Sequence, residues 1–278
     1  TPVTVEAEAH GISPTEVVQH YHDRFLTLFQ RLGLSYDLFT HTDTENHHRV
    51  SQDLFLSLLE NEYLYPKITP QMFSPATGKF LPDRYVEGTC PVCGYEHARG
   101  DQCDNCNTLF ESAAELRNPR SRNDDTALEL RDTEHYFLDL PALADDGLSA
   151  WLHDDGKAHW RPQVINFARN FVDKGLIGRA VTRDMDWGVK VPVDGFESKV
   201  LYVWFEAVIG YLSASIEWAK NQGDPEAWRA WWQDPAAKSV YFIGKDNIPF
   251  HAVFWPAQLL GAKGLYDDDP EAHLNLPY

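Results

Sequence analysis

The chain has no uninterrupted apolar run approaching the roughly 20 residues of a membrane helix, which excludes a conventional bilayer span. No basic segment followed by an apolar run is visible near Thr1, so no secretory signal can be read and a cytoplasmic protein is expected. Basic residues are scarce: 24 Lys and Arg face 42 Asp and Glu, a net charge of −18. That balance argues against nucleic-acid binding through a broad basic face, while leaving room for a local basic groove. Cysteine is scarce too. Four among 278 residues are too few for a disulfide scaffold, and all four fall between Cys90 and Cys106. Internal repeats and long low-complexity segments are missing. So is an initiator methionine, and Leu274-Asn-Leu-Pro-Tyr278 reads as the entry to a further element. A fragment of a longer protein is therefore expected.

What is present suffices for folding. Apolar residues make up 43% and aromatics 13%, enough for a sizeable core and about two domains. Ser13-Pro14-Thr15-Glu16 is a helix start, and Val17, Val18, Tyr21, Phe25, Leu28, Phe29 and Leu32 follow at helical spacing until Gly33. The spacing predicts a helix over 13–33 with that stripe in the core. Residues 34–40 read as a short strand and 43–59 as a second helix. Residues 63–82 suggest short strands and turns, 117–125 a polar loop, 134–140 a strand, and 142–175 one or two helices. Beyond Lys199 two near-continuous apolar runs, 200–205 and 239–244, read as buried parallel strands. Each is followed by a helix, over 207–219 and about 248–260, the pattern of an open α/β sheet. The run 267–271 reads as a solvated acidic loop.

Two constellations carry chemistry. Cys90-Pro-Val-Cys93 and Cys103-Asp-Asn-Cys106 can place four thiolates around one Zn²⁺. With every position filled by protein the metal is structural. Disulfides, free buried thiols and His97 as a competing ligand are the weaker alternatives. Gly244-Lys245-Asp246 stands at the carboxyl end of an expected strand, before a helix, where open sheets bind ligands and where a lysine and a helix start suit phosphate or ribose. His251 and Trp255 share one helical face, as do Ala207 and Tyr211, with Trp204 just before them. They could line an apolar pocket with a few polar handles. From periodicity alone, core packing explains these aromatics better.

Several long motifs resemble methionyl-tRNA synthetases, of the class I aminoacyl-tRNA synthetases. They are the run from Lys79 to Pro91, Glu134-His-Tyr-Phe-Leu-Asp-Leu-Pro141, the run from Tyr202 to Tyr211, and Phe242-Ile-Gly-Lys-Asp-Asn-Ile-Pro-Phe-His251. The resemblance covers nearly the whole chain. It implies an α/β fold: a split Rossmann-type nucleotide-binding domain with an inserted zinc-knuckle connective domain. Residues 1–62 would be the remainder of the first half, 63–180 the insertion, and 181–278 the second half. It implies ATP-dependent activation of methionine and its transfer to tRNA(Met), with Mg²⁺ in the full enzyme. Trp204, Ala207, Tyr211, His251 and Trp255 would bind methionine. Arg183 would orient the substrate or its ion-pair network, and Gly244, Lys245 and Asp246 would bind ATP. The family's His-x-Gly-His and Lys-Met-Ser-Lys-Ser signatures are absent from the chain, so no catalytic residue is assigned and the chain alone is expected to be inactive. Glu206-Ala207-Val208 replaces the Asp-Ala-Pro of many members, and Asn247 stands where others are apolar. Two other readings remain: a non-catalytic zinc-knuckle module binding RNA or protein, and a piece of another class I synthetase.

Overall fold

Helix starts and stops follow local chemistry closely. The computed structural model describes residues 2–278 apart from 83, 84, 101, 107, 109, 111 and 112. Asp83 and Arg84, within the 79–91 run, thus lie outside the described residues. A short helix not foreseen from sequence, α1 (Pro2–His10), packs against α2 (Pro14–Arg31). Ser13 caps α2 in a reciprocal box: Glu16 N–H donates to the Ser13 hydroxyl at 3.2 Å, and Ser13 N–H donates to the Glu16 carboxylate at 2.7 Å. Gly33, at φ +74°, ends the helix, and Leu34 N–H turns back to the Phe29 carbonyl. Thr44 caps α3 (Glu45–Glu60).

The chain divides into two compact units, one of residues 1–65, 137–182 and 186–278, the other of 66–136 and 183–185. In the first, α3 buries Val50, Leu54, Phe55 and Leu58. This face packs on α8 (Gly210–Asn221) and on α10 (Trp255–Gly261). Gly261 makes that approach possible: a Cβ there would lie 2.7 Å from side-chain carbons of both Leu58 and Leu143. The segment 140–173 adds α4 (Leu140–Leu143), α5 (Ser149–His153) and α6 (Pro162–Asp173). In the second unit β1 (Leu64–Ser74) pairs antiparallel with β2 (Lys79–Phe80). There β3 (Val86–Thr89) lies between β4 (Ala98–Arg99) and β5 (Arg117–Ser121), both antiparallel to it. Its core is small: Met72, Val86, Cys90, Ala98, Cys103, Ala113 and Leu116. Strand β6 (Glu129–Leu138) carries the chain back to the first unit, where Phe137 and Leu138 pair with β7 (Arg179–Ala180).

Five expectations are corrected. The α2 stripe is not core: Val17 is buried, but Tyr21, Phe25, Leu28 and Leu32 are exposed. Residues 34–40 form no strand. Tyr36 and Phe39 instead close edge-on over Phe29, and Phe39 stacks on His22. The polar run at 117–121 is a strand, because Arg120 finds Glu87 across the ladder at 2.7 Å and Ser121 turns inward. The run 200–205 is a strand, β9, only at Val200–Leu201. From Tyr202 the period is helical, with Phe205, Val208, Ile209 and Leu212 buried, through α7 (Val203–Glu206) and a single turn at Ala207–Ile209. Residues 239–244 are extended, yet they join no ladder among the described residues.

Candidate functional site

Two features of the first unit converge on the aromatic cluster. The helix 250–261 opens with a wide turn, Phe250–Phe254, in which Trp255 N–H donates to the carbonyl of Phe250 five residues back. Pro256 follows at once and lacks an N–H, so the wide spacing falls where an ordinary helix would lose a bond. This turn carries His251. The turn at Ala207–Ile209 carries Ala207 and leads into α8 with Tyr211.

The Tyr211 hydroxyl lies 2.7 Å from His251 Nε2, and His251 Nδ1 lies 3.0 Å from the Asn247 carbonyl. A carbonyl only accepts, so Nδ1 carries the proton and Nε2 presents a lone pair to the Tyr211 O–H. Burial lowers the His251 pKa below the usual histidine value and favours this neutral form. Burial likewise raises the pKa of Tyr211. Trp255 is fully buried and donates through Nε1 to the Tyr241 hydroxyl at 3.0 Å. Tyr241 meets Tyr211 edge-on with ring centres 4.8 Å apart. Trp204 is part-exposed and stacks on Phe250 at 4.2 Å and 11°. Tyr211, His251 and Trp255 therefore come together, bridged by Tyr241, and Trp204 stacks beside the turn that carries His251. Ala207 lies one turn before Tyr211.

Sequence reasoning missed Tyr241 and Phe250. Tyr241 sits in a run taken for a buried strand, where an inward tyrosine looks like any core residue. Gly244, Lys245 and Asp246 are exposed at the start of the helix and follow the extended segment directly. Arg183, in β8 (Thr182–Arg183), belongs to the second unit, as does the neighbouring Asp184. Asp184 lies 3.1 Å from His135 Nε2 and accepts from the Thr133 hydroxyl at 3.0 Å.

The second unit gathers the four cysteines. Cys90 and Cys106 sulfurs are 3.8 Å apart, Cys93 and Cys103 sulfurs 3.6 Å, and all four lie within 4.8 Å of one another. These separations are far too long for disulfides. They match the roughly 3.8 Å edge of a sulfur tetrahedron with metal–sulfur bonds of about 2.3 Å. The donor set thus fits one metal ion. Gly94, at φ +76°, closes the first turn, and its N–H donates to the Cys90 carbonyl. The Thr108 hydroxyl, 3.1 Å from Cys106 Sγ, leads a set of hydrogen bonds that bring that thiol down to about 6. Asn105 donates to Cys93 Sγ at 3.6 Å and lowers that thiol too. Burial pushes Cys103 up to about 11. His97 is not part of the four-sulfur group; its Nδ1 lies 3.0 Å from Glu87.

A family model described as "tRNA synthetases class I (M)" matches residues 1–271. The chain belongs to this family. Among its relatives in the family, methionine–tRNA ligase of Thermomicrobium roseum is 54% identical over 278 residues, covering 100% of this chain and 46% of the relative. The corresponding ligase of Thermobifida fusca is 53% identical, again covering 100% of this chain and 46% of the relative. Among solved structures, Mycobacterium tuberculosis methionyl-tRNA synthetase in complex with methionyl-adenylate aligns with a TM-score of 0.66 at 26% identity, covering 99% of this chain and 45% of that one. A second structure of that enzyme, bound by methionyl-adenylate, gives a TM-score of 0.65 at 25% identity, with 99% and 46% covered. The fold is thus the class I synthetase Rossmann-like α/β fold, and the chain spans about half the length of the curated relatives it matches. No helix among the described residues is long and apolar enough to cross a membrane.

Proposed function

We propose that this chain carries the amino-acid pocket of a methionine–tRNA ligase, an enzyme of cytoplasmic protein synthesis. The observation that carries the reading is the Tyr211–His251 pair, held at 2.7 Å beside Trp204, Ala207 and Trp255, in a chain about half identical to such ligases along its whole length. A methionine side chain is apolar with a polarizable sulfur, which is only a weak acceptor. The Tyr211 hydroxyl oxygen, its one proton given to His251 Nε2, and the neutral His251 ring form the polar edge against which that sulfur lies. Trp204 on Phe250 supplies the flat wall and Ala207 the room for an unbranched chain.

The reaction has two steps. The methionine carboxylate attacks the α-phosphorus of ATP, and pyrophosphate leaves. A ribose hydroxyl at the end of tRNA(Met) then attacks the carbonyl carbon of methionyl-adenylate, and AMP leaves. Positioning and charge stabilisation dominate both steps. Gly244, Lys245 and Asp246 present a turn, a cation and a sugar-hydroxyl acceptor to the nucleotide. Mg²⁺ accompanies ATP as a counter-charge. The four thiolates hold Zn²⁺, which braces the knuckle and has no open position for chemistry. The middle of the chain, 63–180, is read as an insertion between catalytic halves at 1–62 and 181–278; the compactness of 66–136 supports its first part, while 137–180 belongs to the first unit. Lacking both phosphate-handling signatures, the 278-residue chain by itself should not turn over.

Calorimetric titration with methionine, with leucine as control, tests the pocket. Methionine should bind at least about tenfold more tightly, the discrimination that shape and one weak polar contact supply. Equal binding of leucine would overturn the reading.

A further inference from the structure

Below the pocket lies a buried polar network that the proposed chemistry does not use. His47, Ser51 and Ser213 are each at most 2% exposed and Glu206 is 8% exposed. His47 Nε2 lies 2.7 Å from Glu206 Oε2 and 3.2 Å from the Ser51 hydroxyl, while His47 Nδ1 lies 2.9 Å from the Ser213 hydroxyl. Ser213 has one proton and donates it to the Gly210 carbonyl at 3.1 Å. Its oxygen therefore accepts from His47 Nδ1–H. Nε2 then faces a carboxylate oxygen at hydrogen-bond distance, which needs a further proton between them. One proton between Nε2 and Oε2 thus joins His47 to Glu206 in the interior. Asn46 reinforces the joint by donating to the Ser213 carbonyl at 2.7 Å.

The placement gives the network a consequence. Glu206 immediately precedes Ala207, and Gly210 immediately precedes Tyr211. His47, on α3, therefore grips both ends of the short turn that sets two pocket side chains. We propose that His47 is a positioning residue for the amino-acid pocket, fixing the 206–211 turn through Glu206 and Ser213. This rests on the pocket reading given above. A carboxylate in this interior tolerates few partners, so the turn has one low-energy setting while His47 is present. Without it, Glu206 must seek water or another donor, and the turn moves with it.

The test is amino-acid-dependent ATP–pyrophosphate exchange by the protein as its gene encodes it. Wild type is first assayed against a panel of amino acids, which checks the methionine reading by itself. His47→Asn should then raise the KM of the amino acid that supports exchange about tenfold, as a misplaced side chain does. The KM for ATP should stay within about twofold and kcat should change less, since ground-state binding is what is lost. Ser213→Ala, a milder change, should shift the same KM in the same direction if His47→Asn does not fold. The pair His47→Asn with Glu206→Gln leaves no unpaired charge and should recover most of the loss. An unchanged amino-acid KM, or equal rises for amino acid and ATP, would overturn the proposal. A wild type that uses another amino acid in place of methionine would correct the substrate and leave the positioning role standing. Exchange with no amino acid would remove both.

Discussion

His251 shows how one buried ring couples stability to pH. Its pKa, and those of His41 and His48, lie below the usual histidine value, in each case chiefly through burial. The unfolded chain takes up protons near the ordinary value of about 6.5, while the folded chain resists them. The sign follows: these residues contribute full stability above that value and lose it as pH falls below. Urea unfolding at pH 8 and pH 5.5 should therefore show a loss on acidification, with a smaller loss in His251→Gln. An identical pH slope in wild type and variant would sink this account. Methionine binding should weaken over the same range, because a protonated His251 sets a positive charge against an apolar side chain and can no longer accept from Tyr211.

Elements with strong end signals were legible in the sequence, and those defined only by apolar content were not. Helices α2 and α3 begin at Ser13 and Thr44, whose hydroxyls cap them, and α6 opens on Pro162 without a side-chain cap. By contrast, 200–205 and 239–244 are alike in composition and came out differently. Half of the first, 203–205, is helix, because its buried positions continue at helical spacing into 208–212. The second is extended, with Ser239, Tyr241 and Ile243 turned inward while Val240 is 64% and Phe242 96% exposed. Periodicity cannot separate these outcomes in so short a run. An extended segment outside any ladder among the described residues, bearing exposed apolar side chains, is a template for pairing with another chain. The 278-residue polypeptide should therefore self-associate as its concentration rises, and Phe242→Lys should suppress this. Sedimentation velocity across a dilution series would show it, and identical profiles for the two proteins would refute it.

At the scale of the whole molecule, legibility depended on how far apart the partners lie in sequence. The four-cysteine cluster is nearly local: two tight turns separated by nine residues, so the spacing alone reveals it. The proposed pocket joins 204–211 to 241–255 and is legible through family resemblance, not periodicity. Tyr241 and His47 emerged only from the three-dimensional arrangement. The cysteine cluster also carries the clearest consequence for the fold. Among the described residues the second unit's hydrophobic cluster has seven buried members, two of them the cysteines Cys90 and Cys103. A unit below about 80 residues rarely gains more than about 5 kcal/mol from such a core. Structural zinc supplies about 10–16 kcal/mol of binding in comparable small sites, which here would be folding free energy. Removing the metal with a chelator under reducing conditions should therefore unfold 66–136 outright, not loosen it. Hydrogen exchange followed by mass spectrometry should show protection lost at 86–89, 98–99 and 117–121, with 45–60 and 210–221 still protected. Cys106→Ser should give the same pattern without chelator. Persistent protection at 86–89 in a sample shown by mass to be metal-free would mean that the small core and its sheet hold the unit together without the ion.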